Sequence, residues 1–254
     1  MPRPFYLVGH NPNKVQEAVD CLAAGANGLE PDVCYDSDTN SFSVHEQIPL
    51  LPKVVSRWLY GAVPLTDYLA GVAHYLASTP TANLALLALD LKEPYTYDIN
   101  QLLRVVKASF SNRFPGVSVL TTVTTSEGMK FLAKTAAQRP NDLVGVDEYL
   151  APDDVAGFFQ TTGLRYTYAN GTSVPLISTT RYVNDISRAL ALRNTNPAAG
   201  PKLVYAWTVN SERSMRTYLD MDVDGLITDN IPALLELLKT EYASRYTLAA
   251  PGAA

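Results

Sequence analysis

Residues that would mark several protein classes are scarce in this sequence. Only two cysteines, Cys21 and Cys34, occur in 254 residues, too few for a disulfide framework, and no cysteine or histidine spacing is typical of a zinc site. No run of about 18 apolar residues is present that could span a bilayer. Lys and Arg number 20 against 25 Asp and Glu, a net charge of −5. This balance argues against nucleic acid, and against an anionic membrane surface as the main partner.

Histidine is also scarce, since only His10, His45 and His74 occur. An enzyme that depends on imidazole for acid–base chemistry therefore has few candidates here. His74 falls in a stretch of helical pattern with no acidic partner, and we expect it to be a packing or surface residue.

We expect no signal peptide at the N-terminus. Met1-Pro2-Arg3-Pro4 continues directly into the apolar run Phe5-Tyr6-Leu7-Val8, without the features of a leader segment. We expect either a cytosolic protein or the mature form of a secreted one.

Short apolar runs alternate with amphipathic stretches of helical length along the whole chain. Continuous apolar strands that are each followed by a helix indicate a parallel sheet covered by helices. Eight such units in about 250 residues favour a single (β/α)8 TIM barrel over a doubly wound sheet. The predicted strands are 5–9, 28–34, 84–91, 117–123, 143–146, 164–169, 203–209 and 225–228. The predicted helices are 13–24, 64–78, 97–112, 126–138, 152–162, 179–193, 211–221 and 231–243.

The domain organisation follows from the same pattern. No linker or shift of composition marks an internal boundary, so we predict one domain over residues 1–248. The remaining residues 249–254 read AAPGAA, and we expect them to form a disordered tail.

Acidic side chains lie at the end of the second predicted strand. Glu30 and Asp32 are two residues apart, so they point to the same face. Like charges that are buried together repel unless a cation or a proton is shared between them. Oxygen-only ligands suit Mg²⁺ or Ca²⁺ rather than zinc. The alternative is a strand end with two solvated acids.

Other strand ends carry polar residues that fit the same site. In TIM barrels the active site lies at this end of the strands. His10 follows the first strand, His45 follows the short extended run 41–44, and Asp90 and Lys92 share a face at the end of the third predicted strand. Asp90 would complete a three-carboxylate metal site, and Lys92 suits a phosphate oxygen. The alternative for the last two is an Asp–Lys pair that neutralises itself.

One further acidic pair receives a different interpretation. Asp147 and Glu148 follow the fifth predicted strand. Because adjacent residues on a strand face opposite ways, we expect these two to be solvated rather than functional.

The order of these residues and their local contexts resemble the glycerophosphodiester phosphodiesterase-like superfamily. The resemblance is closest to its sphingomyelinase D / phospholipase D branch, found in spider venoms, some bacteria and fungi. It extends over nearly the whole chain, including the seventh and eighth strands. The matching stretches are Gly9-His10-Asn11, residues 24–33 (AGANGLEPDV), residues 44–49 (VHEQIP), Leu89-Asp90-Leu91-Lys92, residues 204–209 (VYAWTV) and residues 221–228 (MDVDGLIT).

The resemblance implies a role for each matching position. His10 and His45 would be the catalytic pair, and Lys92 would contact the phosphate. Tyr205 and Trp207 would line the substrate cavity, although Trp207 could equally be an aromatic residue of the barrel interior. The Mg²⁺ ligands would be Glu30, Asp32 and Asp90, holding one ion.

The sequence departs from its relatives at several positions that bear on head-group and lipid specificity. Ordinary glycerophosphodiesterases carry His-Arg-Gly and Pro-Glu-Asn after the first strand, where this chain has residues 10–13 (HNPN). Their second histidine is followed by Asp, whereas Glu46 follows here. Venom enzymes carry a disulfide-bonded loop where residues 50–53 (LLPK) hold no cysteine. Residues 245–248 (RYTL) preserve little of the Asn-Pro-Trp tail that plugs the venom barrels.

Three functions remain open from the sequence. The favoured one is a Mg²⁺-dependent phospholipase D that cleaves the head group of sphingomyelin or lysophospholipids, with a cyclic phosphate as one product. The alternatives are hydrolysis of small water-soluble glycerophosphodiesters, and a catalytically dead barrel used as a binding module. For the favoured function we expect a secreted monomer that meets a membrane surface transiently. Residues 48–51 and 58–60 are apolar enough to meet lipid.

Overall fold

The computed structural model describes residues 1–47, 53–136, 143–147, 150–172 and 180–253. The strands in these residues are β1 (Arg3–His10), β2 (Gly28–Glu30), β3 (Asp32–Asp36), β4 (Ser41–Val44), β5 (Val63–Pro64), β6 (Leu86–Leu91), β7 (Ser118–Val123), β8 (Val144–Asp147), β9 (Tyr166–Gly171), β10 (Val204–Trp207), β11 (Gly225–Thr228) and β12 (Tyr246–Leu248). The helices are α1 (Val15–Ala23), α2 (Lys53–Tyr60), α3 (Leu65–Ser78), α4 (Ile99–Val106), α5 (Ser126–Ala136), α6 (Pro152–Thr162), α7 (Thr180–Thr195), α8 (Glu212–Asp220) and α9 (Ile231–Lys239).

The predicted (β/α)8 barrel is confirmed. Parallel pairing runs from β1 through β2, β6, β7, β8, β9, β10 and β11, and β11 pairs with β1 to close the sheet. Pro31 separates β2 from β3, because a residue without an N–H interrupts the ladder. These two segments share the second barrel position, since both pair with β6.

Burial along β6 explains why its sequence is almost wholly apolar. All six of its residues are buried, because helices cover one face and the barrel interior covers the other. Leu87 and Leu89 pack in the large core beneath the helices. Leu86 and Ala88 pack in the smaller cluster inside the barrel. The next inward position after Ala88 is Asp90, which lies at the mouth of the barrel.

An antiparallel hairpin extends the second barrel strand beyond the barrel. β4 pairs with β3, with Val33 opposite Val44, and the short β5 pairs with β4. The extended run predicted at 41–44 is thus β4. The helix α2, which follows the undescribed residues 48–52, was not predicted.

The base of the barrel is closed by the C-terminal segment. The unpredicted strand β12 pairs with the first residues of β1. Ala249 is 1% exposed, and its amide donates to the Phe5 carbonyl at 2.9 Å. The side chains of Asn27 and Asn83 donate to the Ala249 carbonyl at 3.0 and 2.8 Å. The first residue of the predicted tail is therefore part of the barrel base.

The remaining elements agree with prediction within a few residues, with one difference in shape. The helix predicted over 97–112 is α4 followed by a wider helical turn at Lys107–Ser111. His74 is exposed on α3, away from the barrel mouth. None of the helices among the described residues combines the length and apolar character needed to cross a membrane.

Candidate active site

The alternation of side chains along the strands brings the predicted residues to the barrel mouth. Tyr6 and Val8 of β1 pack inside the barrel, so His10, two residues further on, faces the same way. β1 ends at His10, and Asn11 follows with a φ of +46°, a left-handed conformation that Asn tolerates better than most residues. Asp90 occupies the equivalent inward position on β6.

The strand register then places these residues next to one another. His10 of β1 pairs with Glu30 of β2, and Asp32 of β3 pairs with Asp90 of β6. Glu30 and Asp32 flank Pro31, so one barrel position contributes two carboxylates. The residues predicted at the strand ends therefore come from three neighbouring barrel positions, namely β1, β2 with β3, and β6.

The three carboxylates form a compact buried cluster. Oxygen atoms of Glu30, Asp32 and Asp90 lie within 4.8 Å of one another, and the residues are only 6%, 2% and 7% exposed. The Asn11 amide donates to Glu30 Oε2 at 3.2 Å. The Asn13 side chain accepts from the Asp32 amide at 2.8 Å and donates to Asp32 Oδ2 at 3.4 Å. These contacts fix the carboxylates without neutralising them.

Lys92 is the cation beside the cluster. Its Nζ lies 3.0 Å from Asp32 Oδ1 and forms an ion pair with Asp90. Burial opposes the charge on Lys92, but Asp90, Asp32 and Glu30 outweigh that effect and raise its pKa well above the ordinary value. Lys92 is therefore a fixed positive charge, and one lysine against three carboxylates leaves the group negative.

The uncompensated negative charge and the burial of the cluster raise the pKa values of two of its acids. Burial, followed by repulsion from Asp90 and Asp32, raises the pKa of Glu30 well above its ordinary value. Burial also raises the pKa of Asp32, although Lys92 opposes the rise. These carboxylates are costly to ionise without a cation. A cation that shares their charge makes their ionised form favourable.

The donor set of the cluster fits a hard divalent cation. All three side chains offer carboxylate oxygens, the ligands that Mg²⁺ and Ca²⁺ prefer. Lys92 Nζ, 3.0 Å from Asp32 Oδ1, supplies one positive charge to this cluster. Three buried carboxylates beside one lysine keep a net negative charge, which a metal ion would balance.

His10 is held by an acidic partner that the sequence analysis did not identify. Asp229 Oδ1 lies 2.9 Å from His10 Nδ1. Asn210 orients Asp229, because its side chain donates to Asp229 Oδ2 at 2.6 Å and accepts from the Asp229 amide at 2.8 Å. With Nδ1 engaged, Nε2 is the ring nitrogen left for chemistry.

A cavity of about 120 Å³ opens on these groups. His10, Glu30, Asp90, Lys92 and Trp207 line it. The indole Nε1 of Trp207 is buried and has no hydrogen-bond partner among the described residues. Trp207 also packs against the cluster inside the barrel, and its contact with substrate stays a prediction.

Asp147 was wrongly expected to be solvated. It lines the same cavity, is 6% exposed, and burial together with repulsion from Asp90 raises its pKa to about 8. Because adjacent strand residues face opposite ways, one of Asp147 and Glu148 has to point inward, and the end of β8 points Asp147 there. Glu148 lies outside the described residues.

Tyr205 lies beneath the cavity rather than in its wall. It is 4% exposed, and its hydroxyl donates to Asp147 Oδ1 at 3.3 Å. Thr167 Oγ1 is 3.4 Å from the same hydroxyl. Tyr205 therefore reaches the site through Asp147, and its predicted contact with substrate stays a prediction.

His45 lines a different cavity. It directly follows β4, whose last residue, Val44, pairs with Val33, the residue after Asp32. Its ring is 5% exposed, with Nδ1 at 3.3 Å from Ser43 Oγ. Burial, and then the charge of Arg57, lowers the pKa of His45. Among the described residues His45 lines a second cavity with Arg57, not the cavity of His10.

One signal in the sequence could have identified a further residue. Asp229 directly follows β11, so the rule that located His10 applies to it as well. Asn13 and Asn210 carry no such signal, because their roles arise from contacts with Asp32 and Asp229 that only the folded chain creates.

Comparison with known proteins gives a family. The model of the family described as "Dermonecrotic toxin SPH" matches residues 1–107 and 119–252. A dermonecrotic toxin of Loxosceles arizonica is 25% identical over 97% of this chain and 86% of the toxin. A dermonecrotic toxin of Sicarius patagonicus is 24% identical over 96% of this chain and 95% of the toxin.

Solved structures share the fold at low identity. A putative glycerophosphoryl diester phosphodiesterase from Silicibacter pomeroyi has a TM-score of 0.67 at 16% identity, covering 97% of each chain. A phosphodiesterase from Oleispira antarctica in complex with sn-glycerol-3-phosphate has a TM-score of 0.64 at 15% identity, covering 92% of this chain and 97% of that one. These similarities establish the barrel fold.

The family match spans both halves of the barrel and every strand end that carries the site. It confirms the predicted resemblance to the sphingomyelinase D / phospholipase D branch, and with it the predicted enzyme class, a phosphodiesterase. The chain belongs to the dermonecrotic toxin SPH family.

Proposed function

We propose that this chain is a Mg²⁺-dependent phospholipase D of the sphingomyelinase D type. Its substrates would be sphingomyelin or lysophospholipids, from which it releases the head-group alcohol. The observation that carries the proposal is the buried group of Glu30, Asp32 and Asp90, with oxygens within 4.8 Å, beside His10 and Lys92 in one cavity.

Glu30, Asp32 and Asp90 would hold the metal ion. A bound divalent cation neutralises the phosphodiester charge that repels a nucleophile and stabilises the charge that develops at phosphorus. Lys92 assists as a second positive charge, since its ion pairs with Asp32 and Asp90 keep its ammonium group beside the same site.

His10 and His45 would carry the proton transfers. One imidazole attacks phosphorus or accepts the proton of the attacking hydroxyl, and the other protonates the departing alcohol oxygen. Asp229 supports His10 by fixing the orientation of its ring through the 2.9 Å contact with Nδ1. When the hydroxyl of the lipid itself attacks, the products are a cyclic phosphate and the free head group.

Exposed apolar side chains near the second cavity support a lipid substrate over a small soluble one. Trp58 is 81% exposed and Leu59 is 53% exposed on α2, and the preceding residue Arg57 lines the cavity of His45. Tryptophan beside a basic residue favours the interface between water and lipid. The apolar residues 48–51 lie outside the described residues.

The proposal extends to the setting of the reaction. All the proposed catalytic groups come from one chain, so a monomer suffices. We propose secretion as well, because the relatives are toxins that damage skin, and such a protein acts outside the cell that makes it.

A panel of substrates tests the proposal. The purified chain is incubated with sphingomyelin vesicles, lysophosphatidylcholine and glycerophosphocholine in the presence of Mg²⁺, and choline release is measured. We expect turnover of at least one lipid, and loss of that turnover in His10→Ala and His45→Ala. Preference for glycerophosphocholine would favour the alternative of a soluble glycerophosphodiesterase. Absence of turnover of all three would contradict the proposal and favour a binding module.

A further inference from the structure

The turn between β1 and α1 contacts two of the three clustered carboxylates. The backbone amide of Asn11 donates to Glu30 Oε2 at 3.2 Å, and the side chain of Asn13, which is 8% exposed, contacts Asp32. The Asn13 amide also donates to the Asn11 carbonyl at 2.8 Å, which ties the two residues of the turn together. One short segment therefore fixes a carboxylate on each side of Pro31.

The orientation of the Asn13 side chain follows from its contacts with Asp32. The backbone amide of Asp32 can only donate, so the atom that lies 2.8 Å from it is the side-chain oxygen of Asn13. The NH2 group of Asn13 then faces Asp32 Oδ2 and donates to it at 3.4 Å. Asn13 thus holds both the backbone and the carboxylate of Asp32, an arrangement that opposes rotation of this carboxylate.

Lys92 holds the other oxygen of the same carboxylate. Its Nζ lies 3.0 Å from Asp32 Oδ1, and Asp32 is 2% exposed, so neither oxygen is free to turn into solvent. The described contacts of the Glu30 carboxylate, in comparison, include a single backbone amide, that of Asn11. Asp32 is therefore the carboxylate whose direction the surrounding chain restricts at both oxygens.

Fixed ligands affect Mg²⁺ and Ca²⁺ differently. Mg²⁺ requires a nearly octahedral arrangement of oxygens at about 2.0–2.1 Å, whereas Ca²⁺ accepts about six to eight oxygens at about 2.3–2.6 Å in a flexible arrangement. A carboxylate held in one direction can meet the strict requirement of the smaller ion and cannot readily adjust to the larger one. The contacts of Asn13 with Asp32 therefore favour Mg²⁺.

We propose that Asn13 is a positioning residue for Asp32, and that it makes the carboxylate cluster select Mg²⁺ over Ca²⁺. Asn13 acts through Asp32, because its oxygen and its NH2 group are both engaged with that residue. The inference rests on the metal site of the proposed function, and it adds a residue that determines which cation this site takes.

The test measures the affinity of the purified full chain for each cation. Isothermal titration calorimetry with MgCl2 and with CaCl2, after treatment with EDTA and dialysis, gives the two Kd values. The measured quantity is the ratio of the Ca²⁺ Kd to the Mg²⁺ Kd. Because both ions carry the same charge, this ratio cancels changes in the net charge of the site and reports its geometry. We expect a ratio above one for the wild-type chain.

Two variants alter Asn13 in different ways. Asn13→Ala removes both contacts with Asp32, and we expect the Mg²⁺ Kd to rise about 10–100-fold, the Ca²⁺ Kd to rise less, and the ratio to fall. Asn13→Asp keeps an oxygen for the Asp32 amide but replaces the NH2 donor with a carboxylate oxygen, which repels Asp32 Oδ2. Its added charge attracts both cations equally, so we expect the ratio to fall here too. The matched control is Asn112→Ala, at an exposed position after the helical turn Lys107–Ser111, for which we expect an unchanged ratio.

The Tm of each variant in EDTA shows whether it folds. Asn13→Asp retains the acceptor for the Asp32 amide, so it keeps the test valid where Asn13→Ala unfolds. A wild-type ratio of one or below would overturn the inference. So would an unchanged ratio in Asn13→Asp, or in Asn13→Ala where that variant folds.

Failure of the proposed function gives a different result. If the chain binds Mg²⁺ with the expected ratios but releases choline from no lipid, the phospholipase D activity is refuted while the role of Asn13 stands. If the wild-type chain binds neither cation, the metal site of the proposed function and the inference are both refuted.

Discussion

Replacement of Glu30 by glutamine should make the metal-free protein more stable and should reduce the stabilisation that Mg²⁺ provides. Glu30 is 6% exposed, and its carboxylate lies within 4.8 Å of oxygens of Asp32 and Asp90. Two unit charges at 4.8 Å repel by about 3.5 kcal/mol at an effective dielectric constant of about 20. Attraction to Lys92 offsets one of the two repulsions that Glu30 experiences.

Protonation of Glu30 sets an upper limit on how much this side chain destabilises the folded protein. From its ordinary pKa of 4.5, protonating the side chain at about pH 7 costs about 3.4 kcal/mol, since each pH unit is worth about 1.36 kcal/mol. Because glutamine has neither the repulsion nor this cost, we expect Glu30→Gln to gain about 1–3 kcal/mol in EDTA. For a chain of this size the gain raises Tm by about 3–10 °C.

Mg²⁺ should stabilise the wild-type protein more than the Glu30→Gln variant. Mg²⁺ at about 100 times its Kd stabilises the folded wild-type protein by about 2.7 kcal/mol. The variant lacks one of the three carboxylates, so we expect it to lose most of this stabilisation. Thermal unfolding followed by circular dichroism, in EDTA and in saturating Mg²⁺, measures both effects. The control is Glu236→Gln, the same change on an exposed position of α9. A lower Tm for Glu30→Gln in EDTA, or a Mg²⁺ shift equal to that of wild type, would refute the reasoning.

Three further predictions concern the catalytic histidine, the pH dependence and the lipid contact. Asp229→Asn should lower kcat about 10–100-fold with little change in KM, because His10 loses the partner of its Nδ1; an unchanged kcat would mean that Asp229 has no part in the reaction. In EDTA the Tm should fall between about pH 5 and pH 8, because the raised pKa values of Glu30, Asp32 and Asp147 mean that the folded state binds more protons than the unfolded state in that window. Saturating Mg²⁺ should flatten this profile, and a Tm in EDTA that rises with pH would contradict it. Trp58→Ala should weaken sedimentation with sphingomyelin vesicles several-fold yet leave turnover of a soluble short-chain substrate unchanged, since Trp58 is 81% exposed; the control, Gln160→Ala at an exposed position of α6, should not change vesicle binding.

The positions of the three clustered carboxylates were predictable because they depend on local rules. The period of two along a strand puts Glu30 and Asp32 on one face, and the barrel rule puts Asp90 at the same end as both. The register of the sheet then follows from the closure of eight strands, so no further information was needed to bring these residues together.

Features that depend on contacts between distant segments were not predictable in the same way. Asp229 becomes the partner of His10 only when β11 closes against β1, 219 residues away in the sequence. His45 was expected beside His10, but it lines a separate cavity with Arg57 of α2, a contact between segments that the sequence pattern does not reveal. The expectation for Asp147 was wrong because the alternation of strand faces was used to judge Asp147 and Glu148 together. The same alternation requires one of the two side chains to face the barrel interior.

The central claim is that phosphodiester cleavage requires a divalent cation at Glu30, Asp32 and Asp90. Phosphorus NMR of lysophosphatidylcholine incubated with the protein, first in EDTA and then after Mg²⁺ is added in excess, tests it most directly. We predict a stable diester resonance in EDTA, followed after Mg²⁺ addition by its replacement with the resonance of a cyclic phosphate or a phosphomonoester. Turnover in EDTA at the rate measured with Mg²⁺ would contradict the claim.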